Sequence, residues 1–203
     1  MDQKNEVFNK TYNEYLDKLK ILNLPEIARN LNLKVAGHDV LVSLLGTDYR
    51  VSESGVFGLD GRKVDFEKCI VIFKYLLMCP KDVPTEINWV AYHSFKNAQP
   101  LLHYFARETT KPMEDFFSGK LTMLEQFSKN IGGVVVTDNA SYDLSIQFNV
   151  MPHVPLFLRF NDADEDFPAQ CTILFLETIE KFLDMESVSI LGALFAKKLI
   201  ASS

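Results

Sequence analysis

The feature that most constrains the fold is a run of alternating apolar and polar residues between positions 144 and 160. Apolar side chains occupy every second position on both sides of a turn: Leu144, Ile146, Phe148 and Val150 before it, then Leu156, Leu158 and Phe160 after it. Two prolines, Pro152 and Pro155, bracket the turn. A period of two places the apolar side chains of a strand on one face, so this stretch predicts two paired strands that bury one side.

A second group of strands is predicted nearer the start of the chain, between residues 31 and 63. Leu31, Leu33 and Val35 alternate with polar residues, which predicts a half-buried strand. The apolar run at residues 40–45 and two shorter apolar segments follow, and Asp60-Gly61 is typical of a tight turn. We predict an antiparallel meander of three or four strands here, and place the other strand group at about residues 133–161.

Helical patterns surround these strands. Apolar residues recur at steps of three and four near the start of the chain, after Asp65 and near the end of the chain. Asp65 is expected to cap the helix that follows it. The predicted helices span about residues 8–22, 25–30, 66–77, 101–107, 113–130, 168–182 and 187–200, with breaks at Pro112 and around Gly119. The patterns predict an α+β fold in a single globular domain over residues 1–203, in which a mostly antiparallel sheet is covered by helices at the N-terminus, in the middle and at the C-terminus.

Charge and composition exclude several classes of protein. The net charge is −6 and basic residues never cluster in more than a pair, so we expect no nucleic acid or anionic membrane partner. The apolar stretches are too short for a membrane span, and the first residues lack the apolar core of a secretory signal. Three widely spaced cysteines predict reduced thiols rather than a disulfide framework. We therefore expect a cytoplasmic protein.

The densest polar feature is an acidic run formed by Asp162, Asp164, Glu165 and Asp166. Alternating carboxylates also open a calcium-binding loop, but Phe167 stands where that loop needs glycine and Ile173 where it needs glutamate. Two interpretations are left open. The carboxylates of Asp164, Glu165 and Asp166 belong to a ligand-binding site, or they complement the positive end of a helix that begins near Pro168.

A second candidate site is the segment from Trp89 to Lys96, which mixes aromatic, hydroxyl, imidazole and amine groups. Trp89, Tyr92 and His93 suit a ligand pocket, because pockets combine apolar walls with a few polar groups; alternatively, the rings fill the edge of the core. The histidines lack the spacing of a helical zinc pair, so no metal site is predicted. His153 is a further candidate for ligand binding. Nucleotide-binding and nucleophile-elbow signatures are absent from the sequence.

Several segments together resemble an uncharacterised family of bacterial and archaeal proteins, the domain of unknown function 3786 family. The resemblance is carried, in chain order, by Trp89 with Phe95, Phe105, Pro112, Ile131-Gly132-Gly133, the turn from Val150 to Pro155, the run from Asp164 to Pro168, Leu174-Phe175 and Ile190-Leu191-Gly192. It implies no activity and no cofactor. Some relatives resemble fusions to a cysteine-rich iron–sulfur segment, which this chain lacks, so iron–sulfur binding is not implied here.

These features are compatible with two functions. The favoured hypothesis is a non-catalytic accessory protein that binds a small ligand or a partner protein through the Trp89–Phe95 segment and the acidic run. The alternative is a hydrolase or transferase in which carboxylates of residues 162–166 act with His93 or His153 as acid or base. No pattern indicates the substrate, the cofactor or the oligomeric state.

Overall fold

The computed structural model describes residues 3–137 and 142–202. The helices of this part of the chain are α1 (Gln3–Lys20), α2 (Leu24–Asn30), α3 (Phe66–Leu77), α4 (Leu102–Phe105), α5 (Lys111–Phe117), α6 (Leu121–Asn130) and α7 (Met185–Ile200). A π-helical turn at Ala106–Thr110 joins α4 to α5. Short 3-10 turns lie at Tyr92–Ser94 and Gln99–Leu101, before α4, and at Glu177–Lys181, before α7.

The strands form two antiparallel sheets. The first is a meander in the order β1-β2-β3-β4, with β1 (Lys34–Ala36), β2 (Asp39–Leu44), β3 (Thr47–Ser52) and β4 (Gly55–Gly58). The second has the order β5-β9-β8-β7-β6, with β5 (Trp89–Ala91), β6 (Val134–Val135), β7 (Leu144–Met151), β8 (Val154–Asn161) and β9 (Gln170–Leu176). The predicted α+β class and both predicted strand groups are confirmed.

The alternating stretch forms the hairpin of β7 and β8. Its inward-facing residues pair directly across the two strands: Leu144 with Phe160, Ile146 with Leu158 and Phe148 with Leu156. All of these side chains are buried. The Phe148 ring meets Phe195 of α7 edge-on, with ring centroids 4.8 Å apart. A slip of one residue would turn this face to solvent, so the apolar pairs fix the register of the hairpin.

Helix α7 lies in the centre of the apolar core. Eleven of its sixteen residues are buried, which is expected for a helix enclosed on most sides. It packs against α3 and the π-helical turn, and buried residues of both sheets belong to one apolar cluster. The sheets are also joined directly, because the Leu45 N–H donates to the Val150 carbonyl at 2.7 Å. The two strand groups therefore share one interior.

The first predicted strand was wrong in its position. Residues 31–33 instead close the end of α2, where the Leu33 N–H donates to the Ala28 carbonyl at 2.8 Å. Asn32 adopts a φ of 52°, a left-handed conformation that often ends helices and that asparagine tolerates. The strand begins only at Lys34, and all three of its residues are exposed.

The helix predicted to begin near Pro168 was also wrong, because Gln170–Leu176 forms β9. This strand pairs with both β8 and β5 inside the second sheet. Its residues from Cys171 to Phe175 are mostly β-branched, aromatic or otherwise apolar, a composition that suits a strand buried between two neighbours. The acidic run therefore lies in the hairpin loop between β8 and β9 and does not precede a helix.

The predicted break at Pro112 was wrong, because the helical segment continues through this residue. It lies in the first turn of α5, directly after the π-helical turn, in which the Lys111 N–H donates to the Ala106 carbonyl five residues earlier. In a regular helix the proline ring collides with the carbonyl four residues before it. The wider π turn changes that geometry, so the chain continues helically through Pro112. The predicted break around Gly119 is present, between α5 and α6.

Two aspartates precede helices, but only one of them caps its helix. Asp65 makes no capping bond to α3 and pairs instead with Lys68 at 2.6 Å. Asp184 accepts the Ser187 N–H at the start of α7, at 2.9 Å, and pairs with Lys74 of α3 at 2.6 Å. Burial alone would raise the pKa of Asp184, but the hydrogen bonds from Lys74 and Ser187 outweigh it and lower the pKa below its ordinary value.

We expect Asp184→Asn to lower the free energy of unfolding at neutral pH, because asparagine keeps a capping acceptor but loses the charge that Lys74 stabilises. A carboxylate with a depressed pKa in the folded state stabilises the protein above its unfolded pKa of about 3.9 and loses this contribution as the pH falls through the folded value. Urea unfolding should therefore show the wild-type advantage shrinking as the pH falls from neutral toward about 3. Asp65→Asn is the control, and an equal loss in both variants would contradict the assignment.

Candidate functional site

A cavity of about 310 Å³ opens where the β5–β9 edge of the second sheet meets the helical segment from α4 to α5. Three parts of the chain line it: Ala91, Tyr92 and His93 from the end of β5 and the turn that follows; Leu102, Phe105, Ala106 and Thr110 from the helical side; and Cys171, Thr172 and Ile173 from β9. We call it the π-turn cavity. Its volume lies at the lower end of the range for small-molecule sites.

Tyr92 forms a fixed wall of the π-turn cavity. Its ring stacks on Phe105 with centroids 4.2 Å apart and planes inclined by 9°. Its hydroxyl donates to the Met185 carbonyl at the start of α7, at 2.7 Å. Burial raises the pKa of Tyr92 to about 12. Tyr92 is therefore neutral near pH 7 and held in position, which suits it to shaping a cavity rather than to transferring protons.

The helical wall is positioned by a close contact between the π-helical turn and α7. Thr109 of this turn is fully buried. A Cβ atom added at Gly192 of α7 would lie 2.7 Å from Phe105 Cε2 and 2.8 Å from Thr109 Oγ1. These separations are too short for non-bonded heavy atoms, so glycine is needed for α7 to approach this closely. Turns of the π type occur frequently at functional sites, and here the turn supplies Ala106 and Thr110 to the cavity.

Cys171 is a structural thiol in the third wall. Burial, together with the nearby Glu114 carboxylate, raises the pKa of Cys171 far above its ordinary value. The thiol therefore stays protonated, and a protonated thiol is a poor nucleophile. The Cys171 N–H donates to Glu114 Oε1 at 3.1 Å. This bond ties β9 to α5 beneath the cavity.

The polar groups of the π-turn cavity are few. His93 is exposed at its mouth, and Thr110 and Thr172 add hydroxyls that are partly accessible. The Thr110 hydroxyl donates weakly to the Ala106 carbonyl at 3.4 Å. Apolar walls with a few hydrogen-bonding groups are the usual composition of a small-molecule site. The arrangement suits binding of a small, mostly apolar molecule.

Trp89 lies close to the π-turn cavity but does not line it. It is half-buried on β5, opposite Leu176 of β9. Its ring contacts Phe157 of β8, with centroids 5.4 Å apart. The Arg159 guanidinium lies 5.1 Å from the same Phe157 ring. Trp89 therefore belongs to an aromatic cluster on the outer face of the second sheet.

The acidic run uses two of its carboxylates to hold its own loop. Asp164 Oδ1 accepts the N–H groups of Asp166 at 2.8 Å and Phe167 at 2.7 Å. Asp162 Oδ1 accepts the Gly119 N–H at 2.6 Å, which ties the loop to the end of α5. Glu165 and Asp166 are exposed and lie outside the lining of the π-turn cavity. Their part in ligand binding stays a prediction.

His153 lies at the other end of β8 from the acidic run. The eight residues of β8 separate His153 from Asp162, a span of about 30 Å for an extended strand. His153 sits in the β7–β8 turn with a φ of 60°, and its Nε2 is 3.2 Å from the Leu31 carbonyl oxygen. The Tyr75 hydroxyl fixes the same turn by donating to the Pro152 carbonyl at 2.9 Å. The structure therefore does not bring His153 and the carboxylates together.

Sequence reasoning missed most of the π-turn cavity. Tyr92 and His93 were candidates, but Phe105, Thr110 and Cys171 were not. Two signals pointed to the missing walls: a proline inside an otherwise helical pattern, and the strand-like run that became β9. Both were assigned to the wrong local structure, so the walls that they form were not recognised.

Residues 3–137 and 142–202 contain neither a cluster of metal ligands nor a membrane-spanning helix. That part of the chain places no three His, Cys, Asp or Glu side chains where they could hold a metal ion. Its helices are all too short or too polar to cross a bilayer. The three cysteines, all within it, are free thiols.

Fold and site together define a class: an α+β protein with a small, mostly apolar cavity beside a π-helical turn. Residues 23–198 match the model of a family described as a domain of unknown function, DUF3786. The chain belongs to this family, as its resemblance indicated. No curated protein and no solved structure matches the chain. The match begins after α1.

We expect Gly192→Ala to destabilise the protein although alanine is the better helix former. The gain in helix propensity is about 1 kcal/mol, whereas a Cβ pressed against Phe105 and Thr109 forces α7 away from the π-helical turn at a cost of about 1–3 kcal/mol. With the cost at the middle of this range, urea denaturation should show a net loss of about 1 kcal/mol. Lys198→Ala, at an exposed position of α7, should change the free energy of unfolding by less than about 0.5 kcal/mol. A Gly192→Ala variant as stable as wild type would contradict the close contact.

Proposed function

We propose that the protein is a non-catalytic, cytoplasmic accessory protein that binds a small, mostly apolar ligand in the π-turn cavity. The observation that carries this proposal is the composition of the cavity, in which aromatic and aliphatic walls surround only His93 and two threonine hydroxyls. The walls are preorganised, since Tyr92 is fixed by Phe105 and Met185, and Phe105 is fixed against α7. A preorganised site saves the cost of ordering side chains when the ligand binds. The free cysteines suit a reducing compartment.

The geometry favours binding over catalysis at this site. General acid–base chemistry needs a titratable group within hydrogen-bond reach of the reacting atom, usually with a second group that orients it. Tyr92 and Cys171 are both kept in their neutral forms by burial. His93 is exposed at the mouth, and the carboxylates of Asp164, Glu165 and Asp166 do not line the cavity. The cavity therefore offers a shape and hydrogen bonds but no paired acid and base.

A matched ligand pair tests the proposal: p-cresol, which has one hydroxyl, and toluene, which has none. We expect isothermal titration calorimetry to detect p-cresol binding with a dissociation constant of about 1 mM or tighter, a modest ligand efficiency for eight heavy atoms. Toluene should bind several-fold more weakly, because it forms no hydrogen bond with His93 or the threonine hydroxyls. The proposal would be contradicted if neither compound saturated the protein at concentrations up to its solubility limit.

Two neighbouring substitutions locate the binding. Ala106→Leu adds a bulky side chain to the cavity lining and should weaken p-cresol binding by at least about tenfold. Arg107→Leu is the control, because Arg107 is also exposed in the π-helical turn but does not line the cavity. Equal effects of the two substitutions would place the ligand elsewhere.

A further inference from the structure

A larger cleft lies between α1 and the first sheet, and it shares no lining residue with the π-turn cavity. Its volume is about 870 Å³, within the range for sites that bind metabolite-sized molecules. Half of its twelve lining residues belong to α1, and the others come from the turn before β4, from β4, from the segment after it and from the start of α3. Because the family match begins at residue 23, the α1 wall lies outside the matched region. We call the whole cleft, with all twelve lining residues, the α1 cleft.

One part of the α1 cleft is aromatic. Phe8 of α1 stacks on Phe66 of α3 with ring centroids 4.4 Å apart and planes inclined by 16°. Phe57 of β4 and Leu16 of α1 continue the apolar lining. Phe8, Leu16, Phe57 and Phe66 are each only partly buried, so apolar surface is left accessible inside the cleft. A ligand with an aromatic or aliphatic body would cover this surface and gain the corresponding transfer free energy.

The Tyr12 hydroxyl is held among these apolar residues by a hydrogen bond from a backbone N–H group. The Val56 N–H donates to the Tyr12 hydroxyl oxygen at 3.3 Å. Gly55, with a φ of 129°, leaves room for that hydroxyl, since an added Cβ would overlap Tyr12 Oη. Burial raises the pKa of Tyr12, so the hydroxyl keeps its proton. Among the described residues no acceptor takes that proton, which leaves Tyr12 as a donor to a bound molecule.

The charged residues of the α1 cleft are Lys63 and Glu6. Glu6 lies in the first turn of α1, where a negative charge is already stabilised by the helix dipole. Lys63 is exposed and has no ion-pair partner among the described residues. A bridge between its backbone and that of Phe57 fixes its position beside the aromatic lining. Lys63, a cation without an ion-pair partner among the described residues, and the hydroxyl donor Tyr12 both favour an anionic oxygen acceptor.

We propose that the α1 cleft is a second binding site, for a small carboxylate with an aromatic or aliphatic body. Its carboxylate accepts hydrogen bonds from Lys63 and Tyr12, and its body lies against Phe8, Phe57 and Phe66. This site differs from the π-turn cavity in position, in charge and in the chemistry of its ligand. It therefore stands or falls independently of the proposed function.

Three compounds with the same body and different head groups test this assignment: 3-phenylpropionate, 3-phenylpropan-1-ol and 3-phenylpropylamine. Each is titrated into the ¹⁵N-labelled full chain while backbone amide resonances are followed. We expect the acid to bind most tightly, by about tenfold over the amine, because a charge-assisted hydrogen bond replaces charge repulsion. The shifted resonances should belong to residues 54–57, 63–66 and α1. An amine that binds as tightly as the acid would overturn the proposal.

Neighbouring basic residues provide the matched variants. Lys63→Met should weaken binding of the acid about tenfold and leave that of the alcohol nearly unchanged. Arg62→Met should have no effect on either, because Arg62 pairs with Asp60 and does not line the cleft. Both side chains are exposed, so the variants are expected to fold, and their amide spectra verify this. Equal effects of the two substitutions, or resonance shifts confined to residues 91–93 and 171–173, would overturn the proposal.

A third variant examines the hydroxyl. Tyr12→Phe removes a donor to both head groups, so the alcohol should lose affinity by a factor of about three to ten and the acid by more, because its hydrogen bond is charge-assisted. The acid should still bind more tightly than the amine, because Lys63 is retained. A loss confined to the acid would mean that Tyr12 does not donate to the head group in the way proposed.

Discussion

The burial of α7 is the constraint on which the rest of the structure depends. This helix presents apolar residues on most of its circumference, so one sheet cannot cover it. The hairpin of β7 and β8 covers one side through contacts such as Phe148 with Phe195, and α3 and the π-helical turn cover others. Gly192 allows the π-helical turn to come close, and Asp184 fixes the start of the helix against Lys74. The π-turn cavity lies where this cover meets the edge of the second sheet.

The sequence was informative where structure depends on neighbouring residues and misleading where it depends on distant ones. The β7–β8 hairpin was predictable, because its apolar period and its turn are both local. The π-helical turn was not predictable from its neighbouring residues, since an α turn and a π turn differ by only one residue. The π turn occurs here together with the contact between Thr109 and Gly192, which are distant in the sequence. The segment that became β9 is similar: a short apolar run is compatible with a helix or a strand until the pairing strands on each side are known.

The candidate site shows the same division. The segment from Trp89 to Lys96 was a candidate pocket wall or an edge of the core. Tyr92 and His93 do line the π-turn cavity, but the other lining residues follow them by 9 (His93 to Leu102) to 81 positions (Tyr92 to Ile173). The acidic run was the most conspicuous polar feature of the sequence, yet Asp162 and Asp164 accept backbone N–H groups of Gly119 and of the loop itself. A tight loop needs such acceptors for its backbone donors. Conspicuous carboxylates in sequence are therefore not by themselves a sign of chemistry.

The two cavities differ in how they are built, and this difference has consequences for binding. The walls of the π-turn cavity rest on buried groups, so a ligand meets a site that is already formed and pays little to order it. One wall of the α1 cleft is a helix whose outer face is polar and exposed and which contacts the rest of the molecule mainly through α3. A ligand in that cleft touches both α1 and the first sheet, so its binding free energy also adds to the attachment of α1. Ligand occupancy and the docking of this helix are thus thermodynamically linked, whereas occupancy of the π-turn cavity leaves α1 unaffected.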